Sequence, residues 1–207
     1  MLTLLATIAG CLLGATLSAT AAFSQTSGHA GQLPTMNTAG LANPPIGHIT
    51  FCKRHPEECV RHGKQVAVTL DNDNWQDLLE VNHQVNRKVL PVTDLEFYKT
   101  EEYWTLPAQY GDCEDYVLLK RRKLIAMGWP TGALLVTVVY DENNEGHAIL
   151  LARTDRGEFV LDNKVSMILP WYETPYRYVK RQSVENPRQW VSIDDRRRME
   201  DDVASIR

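Results

Sequence analysis

Basic residues are nowhere massed in this 207-residue chain: 22 Lys and Arg are scattered among 26 Asp and Glu, for a net charge of −4. That leaves no electrostatic footprint for nucleic acid, and this class of partner is set aside. No internal repeat or low-complexity tract divides the chain, so one domain with one core of ordinary size is expected. Long apolar runs are confined to the start, MLTLLATIAGCLLGATLSATAAF. Gly10, Gly14 and several Thr and Ser interrupt it, which suits a cleaved export signal better than a membrane span. No Lys or Arg precedes the run, a departure from the usual signal. Small residues at Ala19-Thr20-Ala21 or Thr20-Ala21-Ala22 offer the cleavage site, giving a signal peptide over 1–22 and a mature start near Ala22 or Phe23. Ile8-Ala9-Gly10-Cys11 also resembles a lipoprotein box, a minor alternative.

Cysteine is scarce as well: four residues, of which Cys11 leaves with the signal. Cys52 and Cys59 bracket "FCKRHPEEC", where Pro56 bends the chain, so an oxidising compartment favours a local disulfide and leaves Cys113 free. A metal site using His55 or His62 is the weaker alternative, because zinc pairs sit closer together and a second pair is missing.

Residues 23–48 are rich in Gly, Ser, Thr, Asn and Pro without apolar period and read as a flexible lead-in. Asp71-Asn72-Asp73-Asn74 supplies caps for an amphipathic helix carrying Trp75, Leu78, Leu79, Asn82, Val85 and Val89, ending before Pro91. Residues 92–110, with Tyr98, Tyr103, Trp104 and Tyr110, lack a clean period and read as an irregular, aromatic-packed connection. Asp112 caps a second helix over 113–127, which Gly128-Trp129-Pro130 stops. From Ala133 the pattern is β-branched: ALLVTVVY, HAILLART and EFVLDN alternate with turns at 141–146 and 155–157, and further strands fall near 176–179 and 190–193. Helices followed by an antiparallel sheet give an α+β class. The domain spans 49–193 and a mixed-charge tail, frayed or disordered, fills 194–207.

Cys113 opens a helix, His147 follows a turn into a strand, and Asp162 ends the next strand. In that order the three supply a nucleophile, a base and a group to orient the base. A helix N-terminus favours a thiolate, as does a neighbouring imidazolium. Taken singly, a lone cysteine is more often a small buried hydrophobe, a turn histidine is more often solvated, and Asp-Asn more often a plain turn. A tight hairpin centred on Arg156-Gly157 would also set Asp162 opposite Leu151, four residues of strand from His147 and too far for a hydrogen bond.

Together, "VNHQVNRKVLPVTD", "YWTLPAQYGDCEDYVLLKRRKL" and "GHAILLARTDRGEFVLDN" resemble the bacterial transglutaminase-like cysteine proteinases, the LapG-type periplasmic proteases, from about Gly47 to Ile193. The resemblance implies a papain-like and transglutaminase-like fold, N-terminal helices packed on an antiparallel sheet, with Cys113 as nucleophile, His147 as general base and Asp162 as orienter. It also implies a calcium cofactor bound by Asp112 and Glu114, with Asp115 open. It implies a periplasmic endopeptidase whose protein substrate is a large surface adhesin, cut at a small-residue site in biofilm control and restrained by an inner-membrane receptor.

Acids around a nucleophilic thiol conflict with its chemistry unless a cation neutralises them. Helix capping by Asp112, with Glu114 and Asp115 in the first turn, is the competing account. Gln182 and Trp104 are candidates for a second oxyanion donor, beside backbone N–H groups near Cys113. Two other activities share these residues: acyl transfer to an amine, and a non-catalytic binding module retaining the fold.

Overall fold

The computed structural model describes residues 35–197, so the segment read as an export signal, Cys11 and residues 198–207 lie outside it. Four helices, α1 (Ile46–Arg54), α2 (Asn72–Lys88), α3 (Asp94–Tyr98) and α4 (Cys113–Ala126), accompany nine strands. These are β1 (Thr38–Ala42), β2 (Leu90–Pro91), β3 (Tyr110–Gly111), β4 (Leu134–Tyr140), β5 (Gly146–Thr154), β6 (Gly157–Leu161), β7 (Leu169–Pro170), β8 (Arg177–Gln182) and β9 (Trp190–Ile193). Seven form one antiparallel sheet in the order β1-β9-β8-β4-β5-β6-β7, while β2 and β3 pair separately in parallel. Among the described residues no helix is long and apolar enough to cross a membrane.

Both faces of the sheet are covered, which explains why β4, β5 and β6 read as nearly continuous apolar runs instead of alternating ones. One face, with Leu134, Val136, Ala148, Leu150, Ala152 and Leu161, packs with Val117, Leu118 and Leu124 of α4 and Leu78, Val81 and Val85 of α2. The other, with Leu135, Val139, Ile149, Leu151 and Val160, is closed by Trp171, Tyr176 and Tyr178. On α2 the buried stripe is Leu78, Val81, Asn82 and Val85, and Leu79 faces outward. Asp71 caps this helix as expected, accepting the Asn74 N–H at 2.8 Å. Gly128 ends α4 at φ +102°, a left-handed conformation that favours glycine.

The lead-in is shorter than its composition suggests: residues 38–42 pair with β9 as an edge strand, and Ile46 already begins α1. A Gly-containing edge strand gains its order from the partner it borders, so local propensity gives little sign of it. Arg197, in the tail, packs against the domain. Its guanidinium stacks 4.6 Å from the Trp171 ring centroid and 5.0 Å from that of Tyr178, pairs with Asp195 at 2.8 Å and donates to the Tyr176 carbonyl at 2.7 Å. Cys52 and Cys59 form a disulfide, and Cys113 is the free cysteine of the described residues. With both sulfurs bonded, neither His55 nor His62 has a thiolate pair with which to build a zinc site.

Candidate active site

A cleft of about 200 Å³ is lined by Cys113 and Glu114 from α4, by Gly146, His147 and Ala148 from β5, and by Trp104 and Glu102 from the connection before α4. Cys113 is half-buried at the first turn of α4. It faces the same cleft as His147 and Ala148 of β5, so the helix terminus and the strand carrying His147 meet there.

His147 and Asp162 meet at 2.9 Å, Nε2 to Oδ1, with both side chains almost wholly buried. The four-residue gap expected from the sequence closes because the hairpin pairs Thr154 with Gly157 around Asp155-Arg156, shifting the register. Leu161 then opposes Leu150, so the next position extrapolates opposite Ile149, two residues from His147 and on the same face. Several further bonds hold Asp162. The Lys164 N–H donates to Oδ1 at 3.0 Å, the Tyr176 hydroxyl donates to Oδ2, and Asn86 of α2 donates to the Asp162 carbonyl at 2.8 Å. Burial pushes the Asp162 carboxyl upward, but its bonds from His147, Tyr176 and Lys164 and the His147 charge leave it net below its ordinary value. The turn ahead of His147 is braced too: Asp141 Oδ1 accepts the Asn143 and Glu145 N–H groups, and Oδ2 pairs with Lys164 at 2.6 Å.

Acids dominate the other side of the thiol. Asp94, Asp112 and Glu114 bring carboxylate oxygens within 4.8 Å of one another. Asp112 does not cap α4 with its side chain: Oδ2 accepts the Asp94 N–H at 3.3 Å, and Oδ1 is buried without a partner. Glu114 accepts the Cys113 thiol at 2.9 Å. Burial first, and then the mutual charge of Asp112 with its acidic neighbours, raises both Asp112 and Glu114 above the ordinary carboxyl range. Burial, with the Glu114 charge and bond next, also raises Cys113 well above an ordinary thiol. Asp115 points elsewhere, accepting the Thr105 N–H at 2.7 Å, and burial lifts it to about 9. Two buried carboxylates and the half-buried Asp112, one of whose oxygens is orphaned, fit a hard cation that takes oxygen ligands.

Asp94 was missed by sequence reasoning, which read 92–110 as irregular. The signal was present: Thr93 and Glu96 form a capping box, the pattern that announces the short α3 and delivers Asp94 beside Asp112. Of the oxyanion candidates, Trp104 lines the cleft, its Nε1 donating to Glu102 at 3.1 Å. Gly47 permits that placement, since a Cβ there would lie 2.2 Å from the Trp104 ring. Gln182 is not among the residues lining the cleft. Its side chain is buried, accepting the Val136 N–H, donating to the Pro187 carbonyl and lying 3.1 Å from His48.

A cysteine at a helix N-terminus beside a carboxylate-bound histidine on a sheet defines a cysteine hydrolase of transglutaminase-like architecture. The chain belongs to the family described as bacterial transglutaminase-like cysteine proteinase BTLCP, which it matches over residues 38–198, and it is therefore a cysteine peptidase. Among solved structures it is similar to LapG of Legionella pneumophila. The calcium-bound form is 25% identical with a TM-score of 0.49, over 56% of this chain and 68% of that one. The EGTA-treated form is 23% identical with a TM-score of 0.50, over 59% and 68%. A further LapG structure is 22% identical with a TM-score of 0.49, over 63% and 76%. A search of the curated proteins finds no match.

Proposed function

We propose that the protein is a calcium-dependent cysteine endopeptidase of the periplasm that works through Cys113, His147 and Asp162. The observation that carries the reading is the buried His147–Asp162 pair beneath a cleft that His147 and Cys113 both line. Because Nε2 is engaged by Asp162, Nδ1 is the ring nitrogen left to take the thiol proton. Cys113 then attacks the scissile carbonyl, and His147 returns the proton to the departing amine. Water activated by the same imidazole releases the acyl group and restores the thiol. Asp162, held ionised by its hydrogen bonds, keeps the ring in one tautomer and stabilises its charged form.

Asp94, Asp112 and Glu114 are the residues that would hold calcium, with Asp94 added to the pair expected from sequence. Bound there, the cation supplies positive charge that offsets the acids around the thiol. The protein substrate, by family resemblance, is a large adhesin of the cell surface cut at a small-residue site, with an inner-membrane receptor as the restraint. Export by residues 1–22 places the enzyme with such partners. The test is envelope proteomics of cells carrying wild type or Cys113→Ala, with and without chelator. New protein N-termini that require both the thiol and calcium are expected. Identical N-terminal profiles in all arms would remove the proposal.

A further inference from the structure

We propose that Tyr176 is a positioning residue for the Cys113 chemistry, acting through Asp162 as a fourth member of the hydrogen-bonded chain. The inference rests on the triad reading above. Tyr176 lies in the segment between Trp171 and β8, 14 residues beyond Asp162, and is buried. Its hydroxyl donates to Asp162 Oδ2 while Oδ1 takes the His147 ring and the Lys164 N–H. Each carboxylate oxygen thus has its own donors, so rotation of the group about its C–C bond breaks bonds on both sides at once. A carboxylate locked in this way presents Oδ1 to the imidazole in one orientation. The Tyr176 ring also stands edge-on to His147, 5.6 Å between centroids at 67°, and walls one side of the imidazole. Burial, the bond to Asp162 and the Asp162 charge together raise the phenol far above its ordinary value, so it stays a donor across the working range.

Tyr176 is itself held from behind. Arg197 donates to its carbonyl at 2.7 Å and to that of Trp171 at 3.0 Å, bracing the loop against the two rings it stacks upon. A continuous run of contacts therefore leads from the C-terminal segment through Tyr176 and Asp162 to His147. This differs from ordinary core packing, which would demand the ring and be indifferent to the hydroxyl.

The substitution that separates these roles is Tyr176→Phe, which keeps the ring and removes the donor. The probe is iodoacetamide, whose second-order rate of alkylation of Cys113 is measured at pH 7 in excess calcium, with thermal midpoints recorded alongside. Imidazole proton NMR of ¹⁵N-histidine-labelled protein, with the His147 signal assigned through His147→Gln, reports the His147–Asp162 bond itself. The expected result is an alkylation rate about tenfold lower in Tyr176→Phe, a changed His147 Nε2–H resonance and a midpoint within a few degrees of wild type. In an Asp162→Asn background the same substitution should have little further effect on the rate, since the two act through one bond. Should Tyr176→Phe fail to fold, Arg197→Ala frees the Tyr176 carbonyl without touching the phenol, and the same shift of rate and resonance is expected at smaller amplitude. Equal rates and an unmoved resonance in Tyr176→Phe, with His147→Gln slow, would overturn the role of Tyr176 while leaving the triad. A His147→Gln rate equal to wild type would overturn the triad reading and this inference with it.

Discussion

Helices α2 and α4 both begin with an aspartate in extended backbone, and the two aspartates do different work. Asp71 accepts the Asn74 N–H and finishes its helix in the ordinary way. Asp112 occupies the same position on α4 but turns its carboxylate toward Asp94 and Glu114, leaving one oxygen orphaned. The same residue type at the same helical position is thus a structural cap in one place and part of an acidic cluster in the other. Capping lowers the free energy of the chain alone, whereas the α4 cluster crowds acids so closely that burial and mutual repulsion favour their protonated forms unless a cation offsets the charge.

The sharpest break of this comparison is substitution of the acids. Asp112→Ala or Glu114→Ala should cut calcium-dependent turnover by about 10³-fold and abolish calorimetric calcium binding, with chelation of wild type doing the same and calcium restoring activity better than magnesium. Full activity in excess chelator would return these acids to the status of helix-terminus charges. Asp94→Asn keeps the side-chain shape and should weaken calcium affinity by about tenfold or more, read by titration calorimetry.

Acidity sharpens the contrast in the metal-free protein. Asp115, on the first turn of α4, is raised to about 9 from an ordinary value near 4, so the folded state holds a proton there that the unfolded chain releases. Its contribution is fully present below the unfolded value and is lost as pH rises toward 9. Between pH 5 and pH 8 the wild-type melting midpoint in chelator should accordingly fall, by several degrees (about 1–2 kcal/mol), more than that of Asp115→Asn. The smallest effect belongs to the ordinary cap: Asp71→Ala should cost about 1 kcal/mol in denaturant melts and leave calcium affinity and turnover unchanged.

Much of this was legible because local rules coincide with the fold. The cap at Asp71, the start of α4 at Cys113, the stop at Gly128, the strand runs after Ala133 and the Cys52–Cys59 pairing all rest on short-range chemistry, and the structure retains each of these. What escaped depends on partners remote in sequence. Asp94 reaches Asp112 from a separate helix, and Tyr176 reaches Asp162 from across a loop. Asn86 of α2, from yet another element, holds the Asp162 carbonyl. The hairpin register needed only a two-residue slip to turn an impossible pairing into a hydrogen bond, the kind of shift turn geometry decides and hydrophobic pattern does not.

The edge strand β1 bears on how the protein can be cut for study. A fragment opening at residue 49, where apolar periodicity first suggests a domain, would strip β1 from β9 and expose the backbone donors and acceptors of that strand to solvent. It would also discard Met36, whose N–H bonds the buried Glu158 and whose side chain fills the second core. Open sheet edges recruit other chains. Such a fragment should self-associate through β9 more readily than one starting before Met36, in which the short, bulged β1 makes a poorer template for another chain.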